Sequence, residues 1–125
     1  AEPMDYVDAS NFYDNKEIIV QKVGEYLNYK KDNDKAALQD YIERTDFDKE
    51  YLSLYDAAKK ADSELRKLGS REKTILNLRE KDYVRYVRLS DEIDMERHDI
   101  HLKYNNIFAR GLEKKENKKK KKEQD

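Results

Sequence analysis

Apolar residues in this chain recur three and four positions apart, and charge fills nearly everything between them. That period fits the 3.6-residue turn of an α-helix and excludes the alternation of a half-buried strand. Asp, Glu, Lys and Arg make up 44% of the sequence, so the helices it encodes present solvated outer faces. Helix breakers are scarce: glycine occurs three times and proline once, at Pro3. The fold class that follows is all-α.

The length, 125 residues, fits one domain. The apolar fraction of 37% lies below the usual range of about 45–50%, so the core is expected to be a thin seam between helices. A first stripe comprises Ala9, Phe12, Tyr13, Ile19, Val20, Val23, Tyr26 and Leu27. Asp8 or Ser10 can cap it, and it should end near Lys31, where Asp32-Asn33-Asp34 offers a turn and a new N-cap. The second stripe opens with Leu38, Tyr41 and Ile42, hesitates at Thr45-Asp46, and resumes from Phe47 through Tyr51, Leu54, Ala58, Ala61, Leu65 and Leu68. A kink or break at Thr45-Asp46 is therefore expected. Gly69-Ser70 pairs a C′ glycine with an N-cap serine, which predicts a tight turn there. The third helix should run from about Arg71 to Arg110 and stop at Gly111. Its stripe includes Ile75, Leu78, Tyr86, Leu89, Ile93, Ile100, Tyr104, Ile107 and Phe108.

The expected architecture is an elongated up-down-up three-helix bundle over residues 8–112, after a flexible lead-in at 1–7. Residues 113–125 contain no apolar side chain, so burial cannot offset their ordering entropy. A lysine-rich disordered tail, or a frayed helical extension, is expected there. At about 1.5 Å rise per residue the first helix is about 35 Å long and the third about 60 Å. The short first helix should leave a two-helix hairpin protruding from about Ala57 to Asp82.

Catalytic constellations are missing from the pattern. The serines fall in helical or capping contexts without a glycine-rich oxyanion loop, and with no cysteine there is neither a disulfide framework nor thiolate chemistry. His98 and His101, with Asp94, share one helix face, yet the Glu-x-x-His pairs of a di-metal bundle are absent. The expectation is a non-enzyme with no cofactor and no metal.

Two surface features suggest binding. A thin apolar line on the back of the third helix (Val84, Val87, Met95, Leu102, Ala109) has a heptad-like, coiled-coil spacing in its last three members. Val87, Met95, His98 and Leu102 are the expected contact residues for another protein or for self-association, with the hairpin tip around Leu68 to Arg71 as the alternative. Ten tyrosines also suit half-wet contact positions, and Tyr6 and Tyr29 fall off the main stripes.

The second feature is charge. Residues 110–125 hold eight basic residues against four acids, while residues 1–109 carry a net −5. Lys114, Lys115, Lys118, Lys119, Lys120, Lys121 and Lys122 could engage an anionic polymer or membrane surface. Nucleic acid is disfavoured, because the body is acidic and the tail has no stacking aromatic. The function expected first is therefore a helical protein–protein interaction module, and second a charge-mediated, membrane-associated binder.

Compartment rests on thin signals. The longest apolar run is Ile18-Ile19-Val20, far short of a span, and no signal peptide is present. Ala1 reads either as the residue after a cleaved leader or as part of a three-residue addition before a native Met4. The Lys-, Asn-, Ile- and Tyr-rich composition favours the first, hence a secreted or surface-anchored bacterial lipoprotein over a cytoplasmic protein.

Overall fold

A computed structural model describes residues 11–124, with backbone only at 119 and 122–124. The lead-in, the caps Asp8 and Ser10, and Ala9 and Tyr6 lie outside the described residues. Within them every element is helical: α1 Phe12–Lys31, α2 Lys35–Thr45, α3 Lys49–Ile75, α4 Leu78–Lys81 and α5 Tyr83–Gln124. Three long helices are thus joined by two short ones, so the expected count of three becomes five.

The break at Thr45-Asp46 is real. The Thr45 hydroxyl folds back on the Tyr41 carbonyl (2.6 Å), Asp46 adopts a left-handed conformation (φ 54°, ψ 42°), and the Phe47 N–H closes on Ile42 O at 3.0 Å. Asp48 caps the next helix, its Oδ1 accepting from the Glu50 N–H at 2.9 Å. Asp34 caps α2 as its sequence suggests, accepting from the Ala37 N–H at 3.1 Å.

α3 and α5 run antiparallel and form the spine. Five ion pairs stitch them in register: Asp48–Lys115, Glu50–Lys118, Glu64–Lys103, Glu72–Arg97 and Arg71–Glu96. α1 lies antiparallel to α3 and packs on both spine helices at one end. There Phe12 and Ile19 close over Leu54, Ala58, Ala61, Tyr104 and Phe108. One layer on, Val23 of α1 meets Tyr41 of α2 together with Phe47 and Tyr51. Rings dominate this layer: Tyr26 stacks on Phe47 at 4.4 Å, Tyr29 lies 5.2 Å from Tyr41, and Phe47 stacks on Tyr51 at 5.4 Å. Tyr29, which fell off the first stripe, is thus a packing residue.

Several expectations need correction. The turn predicted at Gly69-Ser70 is absent, and α3 runs through it to Ile75. Gly69 keeps a negative φ, Leu68 beside it is buried, and the chain reverses instead through Leu76, Asn77 and α4. Gly111 does not stop the last helix either. A Cβ there would sit 2.6 Å from Leu54 Cδ2, so this glycine is a notch that lets α5 close on α3. Residues 113–124, expected as a disordered tail or a frayed helical extension, continue α5 as helix, with Lys115 turned inward onto Asp48. Ala58 and Ala61 lie under α1, and Lys16 pairs with Asp62, so the third layer reaches further than Ala57. Finally, the buried face of α1 is narrower than its apolar stripe: Tyr13, Val20 and Leu27, seven apart on the stripe's edge, are exposed.

Candidate functional site

α5 is the longest of the described helices, and its two faces differ in exposure. Ile93, Tyr104 and Phe108 on its inner face are buried. On the outer face Met95 is 68% exposed and Val87 37%, and His98 stands in solvent beside them. Leu102 and Ala109, further along the same line, are half-buried. Of the four contact residues expected from sequence, three are therefore open and Leu102 is partly taken up by packing.

His98 and His101 part company. His101 lies in the seam between α1 and α5, stacked on Phe12 with ring centroids 4.4 Å apart and planes at 6°. The Tyr13 hydroxyl is 3.4 Å from its Nε2. Burial, reinforced by the positive charges of Arg97, His98 and Lys16, pulls the His101 imidazole below its ordinary pKa. Asp94 is occupied by Arg97 at 2.9 Å. Among the described residues no three His, Asp or Glu side chains converge as metal ligands would.

The lysine-rich end also divides. Lys114, Lys118, Lys120 and Lys121 are exposed, with Lys118 3.6 Å from Glu50. The side chains of Lys119 and Lys122 lie outside the described residues. Lys115 is a correction to that set, because its side chain is only 7% exposed. Its ammonium lies 2.8 Å from Asp48 Oδ1, donates to the Asp46 carbonyl at 3.3 Å, and sits 3.9 Å above the Tyr51 ring centroid. Burial alone would raise the Asp48 carboxyl, but the Lys115 ammonium outweighs it and holds Asp48 below its ordinary value. Burial, with Asp48 and Asp46 close by, pushes the Tyr51 phenol up. The inner phenol of this layer, Tyr41, donates to the Lys22 carbonyl at 2.8 Å and is pushed to about 12 by burial and then by Glu25.

One buried polar group was missed from sequence. Asn105 is 1% exposed and accepts from Asn15 Nδ2 at 2.8 Å, tying α1 to α5. Its own amide nitrogen has no acceptor among the described residues. The only signal was position: Asn105 follows Tyr104 at the edge of the inner stripe of α5. A buried polar pair of this kind favours one helix register, because sliding either helix would leave both amides without a partner.

The described helices include none long and apolar enough to cross a membrane. Comparison with protein-family models, with curated proteins and with solved structures finds no match to this chain.

Proposed function

We propose that this chain is a non-catalytic helical rod that works by contact between proteins, using the outer face of α5 around Met95. The observation that carries the reading is the contrast across one helix. The inner line of α5 is closed by α1 and α3, whereas Met95 stands 68% exposed with Val87 and His98 on the same side of the rod. A flexible, polarizable methionine amid charged neighbours suits a packing surface that must adapt to a partner.

A folded double variant, Val87→Lys with Met95→Lys, tests it. Substitutions at such exposed sites usually change stability by under about 0.5 kcal/mol, so melting should match the parent. With a photo-crosslinking side chain in place of His98, the parent should give a discrete adduct, with itself or with another protein, that the double variant lacks. Identical crosslinking by both would end this reading.

A second reading has its own observation. Lys114, Lys118, Lys120 and Lys121 are solvent-exposed at the end of α5, where they could meet an anionic polymer or membrane surface. Neutralising Lys118, Lys120 and Lys121 with glutamine should then abolish binding to anionic vesicles while leaving the Met95 contact unchanged. An extracytoplasmic site of action would suit either reading.

A further inference from the structure

The opposite end of the rod carries a different surface. Where α3 gives way to α5, the chain exposes Leu76 (52%), Tyr83 (63%) and Val84 (81%). These are the turn residue after α3 and the first two residues of α5, so they crown the tip rather than line a side. Residues 71–88 hold six basic residues against three acids, a local +3 between acidic stretches on both sides. Two of the three acids are already engaged. Glu72 pairs with Arg97, and Asp82 Oδ1 accepts from the Arg85 N–H at 3.3 Å to start α5. Lys73, Arg79, Lys81, Arg85 and Arg88 are all exposed, and among the described residues none pairs with a carboxylate.

We infer that this tip is a docking site for an anionic phospholipid surface, with Leu76, Tyr83 and Val84 entering the headgroup region and the five free cations around them meeting lipid phosphates. Charge complementarity selects an anionic occupant, since the tip is basic on a body that is otherwise acidic. Shape selects a lipid surface over an acidic protein. The grooves along α1, around Lys115 and beside Gly69 to Lys73 leave out Leu76, Tyr83 and Val84, so the apolar residues of the tip stand clear of these clefts and suit a surface that deforms around them. Tyr83 is suited to the boundary, with an apolar ring and a hydroxyl that stays hydrated. Arginine and lysine stems can lie along apolar surface while their charges reach phosphate. The inference goes beyond the Met95 contact and uses none of Val87, Met95 and His98. It also differs from the lysine-rich end of α5, because the tip joins charge to apolar groups that the residues after Leu112 lack.

The chain contains no tryptophan, so the full chain with Tyr83→Trp carries one reporter at the tip. Vesicles of phosphatidylcholine and phosphatidylglycerol in equal parts should shift its emission to the blue, and phosphatidylcholine alone should not. In that background Arg79→Gln, Arg85→Gln and Arg88→Gln together should weaken vesicle binding roughly a hundredfold, about fivefold for each charge removed near the surface. Helical circular dichroism of the variant, matched to the parent, shows that the fold survives. Lys118→Gln with Lys120→Gln and Lys121→Gln should keep the blue shift, and so should Met95→Lys, so this inference and the protein contact fail separately. Emission unmoved by anionic vesicles overturns the proposal. So does a shift that survives loss of the three arginines, or one that disappears with the tail lysines. A shift produced by polyglutamate but not by vesicles would overturn it too, assigning the tip to an acidic protein.

Discussion

The two ends of the rod bury their apolar residues in different ways. At the α1 end three long helices and α2 enclose whole rings: Phe12, Tyr41 and Phe108 are inaccessible to solvent or nearly so. At the tip α3 and α5 face each other with only the four-residue α4 beside them, and two long helices can cover a line but not a volume. Leu68 and Ile93 are buried there, while Ile75, Tyr86 and Leu89 remain half-buried. The ion pairs Arg71–Glu96 and Glu72–Arg97 run beside that line, but exposed pairs contribute little each. The third layer therefore sets stability in this molecule, and the hairpin borrows it through two continuous helices. Regions with few buried contacts open at lower free energy than the core, which leaves the tip free to display residues that the body would have to hide.

The largest effect should come from the body. Phe108→Ala removes a ring packed on Phe12 at 5.7 Å and should cost about 3–5 kcal/mol. Ile93→Ala, at a site where two helices can partly collapse on the gap, should fall near 2 kcal/mol, at the low end of its class. Urea unfolding followed by helical circular dichroism measures both. Native-state hydrogen exchange should also find amides around Ile93 opening more readily than those around Leu54. Equal costs and equal protection would mean that the rod has one core and that the contrast between its ends is false.

Lys115 sharpens the comparison, because it ties the end of α5 to the body in a way the tip lacks. Lys115→Ala strands Asp48 and uncovers Tyr51. Since Asp48 is itself 41% exposed, the loss should be about 1–2 kcal/mol, well under that of a fully buried pair. Lys118→Ala should stay within about 0.5 kcal/mol. A chain ending at Leu112 should be destabilised by about as much as Lys115→Ala, whereas a tail without stabilising contacts would leave it unchanged. The pH dependence has a definite sign. Folding lowers the Asp48 pKa, so its contribution is present above the unfolded carboxyl value, about 3.9. It is lost as pH falls through the lower folded value. Parent and Lys115→Ala stabilities should therefore differ at neutral pH and converge in acid.

Most of the body was legible from period alone. Phe12, Ile19, Val23, Leu54, Ala58, Ala61, Ile93, Tyr104 and Phe108 sit on the stripes and are buried, and Asp34 and the break after Thr45 follow from local turn chemistry. What sequence could not supply were effects that depend on a second helix. Gly69-Ser70 carries a stop signal, yet Leu68 and the ion pairs on either side hold α3 and α5 together past it, and helix propensity yields to packing. Lys115 belongs to a run of charges and differs from its neighbours only in facing Asp48 and Tyr51. Asn105 is polar, and its burial depends on Asn15 ninety residues away. On the candidate surface, Met95 and Val87 were readable as a back line, whereas the partial burial of Leu102 was not.

The three glycines give a discriminating test, because the sign of each effect depends on what an added methyl would meet. A helical glycine costs roughly 0.5–1 kcal/mol relative to alanine through backbone entropy. At Gly69, in the hairpin, an added Cβ would meet nothing within 4 Å, and the same holds at Gly24 in α1. Neither has a positive φ. Gly69→Ala and Gly24→Ala should each therefore stabilise the protein by roughly 0.5–1 kcal/mol. At Gly111 the same gain meets Leu54, whose Cδ2, Cδ1 and Cγ would lie 2.6, 2.8 and 3.1 Å from the new methyl. Leu54 is 5% exposed and packed in the cluster with Phe12, Ile19 and Phe108, so it cannot swing clear without disturbing them. Overpacking of this kind costs about 1–3 kcal/mol, which exceeds the propensity gain and leaves Gly111→Ala destabilised by about 1 kcal/mol. Thermal melts of the three variants decide it. A stabilised Gly111→Ala would show that Leu54 has room to move and that the body is looser than its burial implies. A destabilised Gly69→Ala would show that α3 bends or opens at that glycine, restoring a break in the hairpin where the helix now runs straight through.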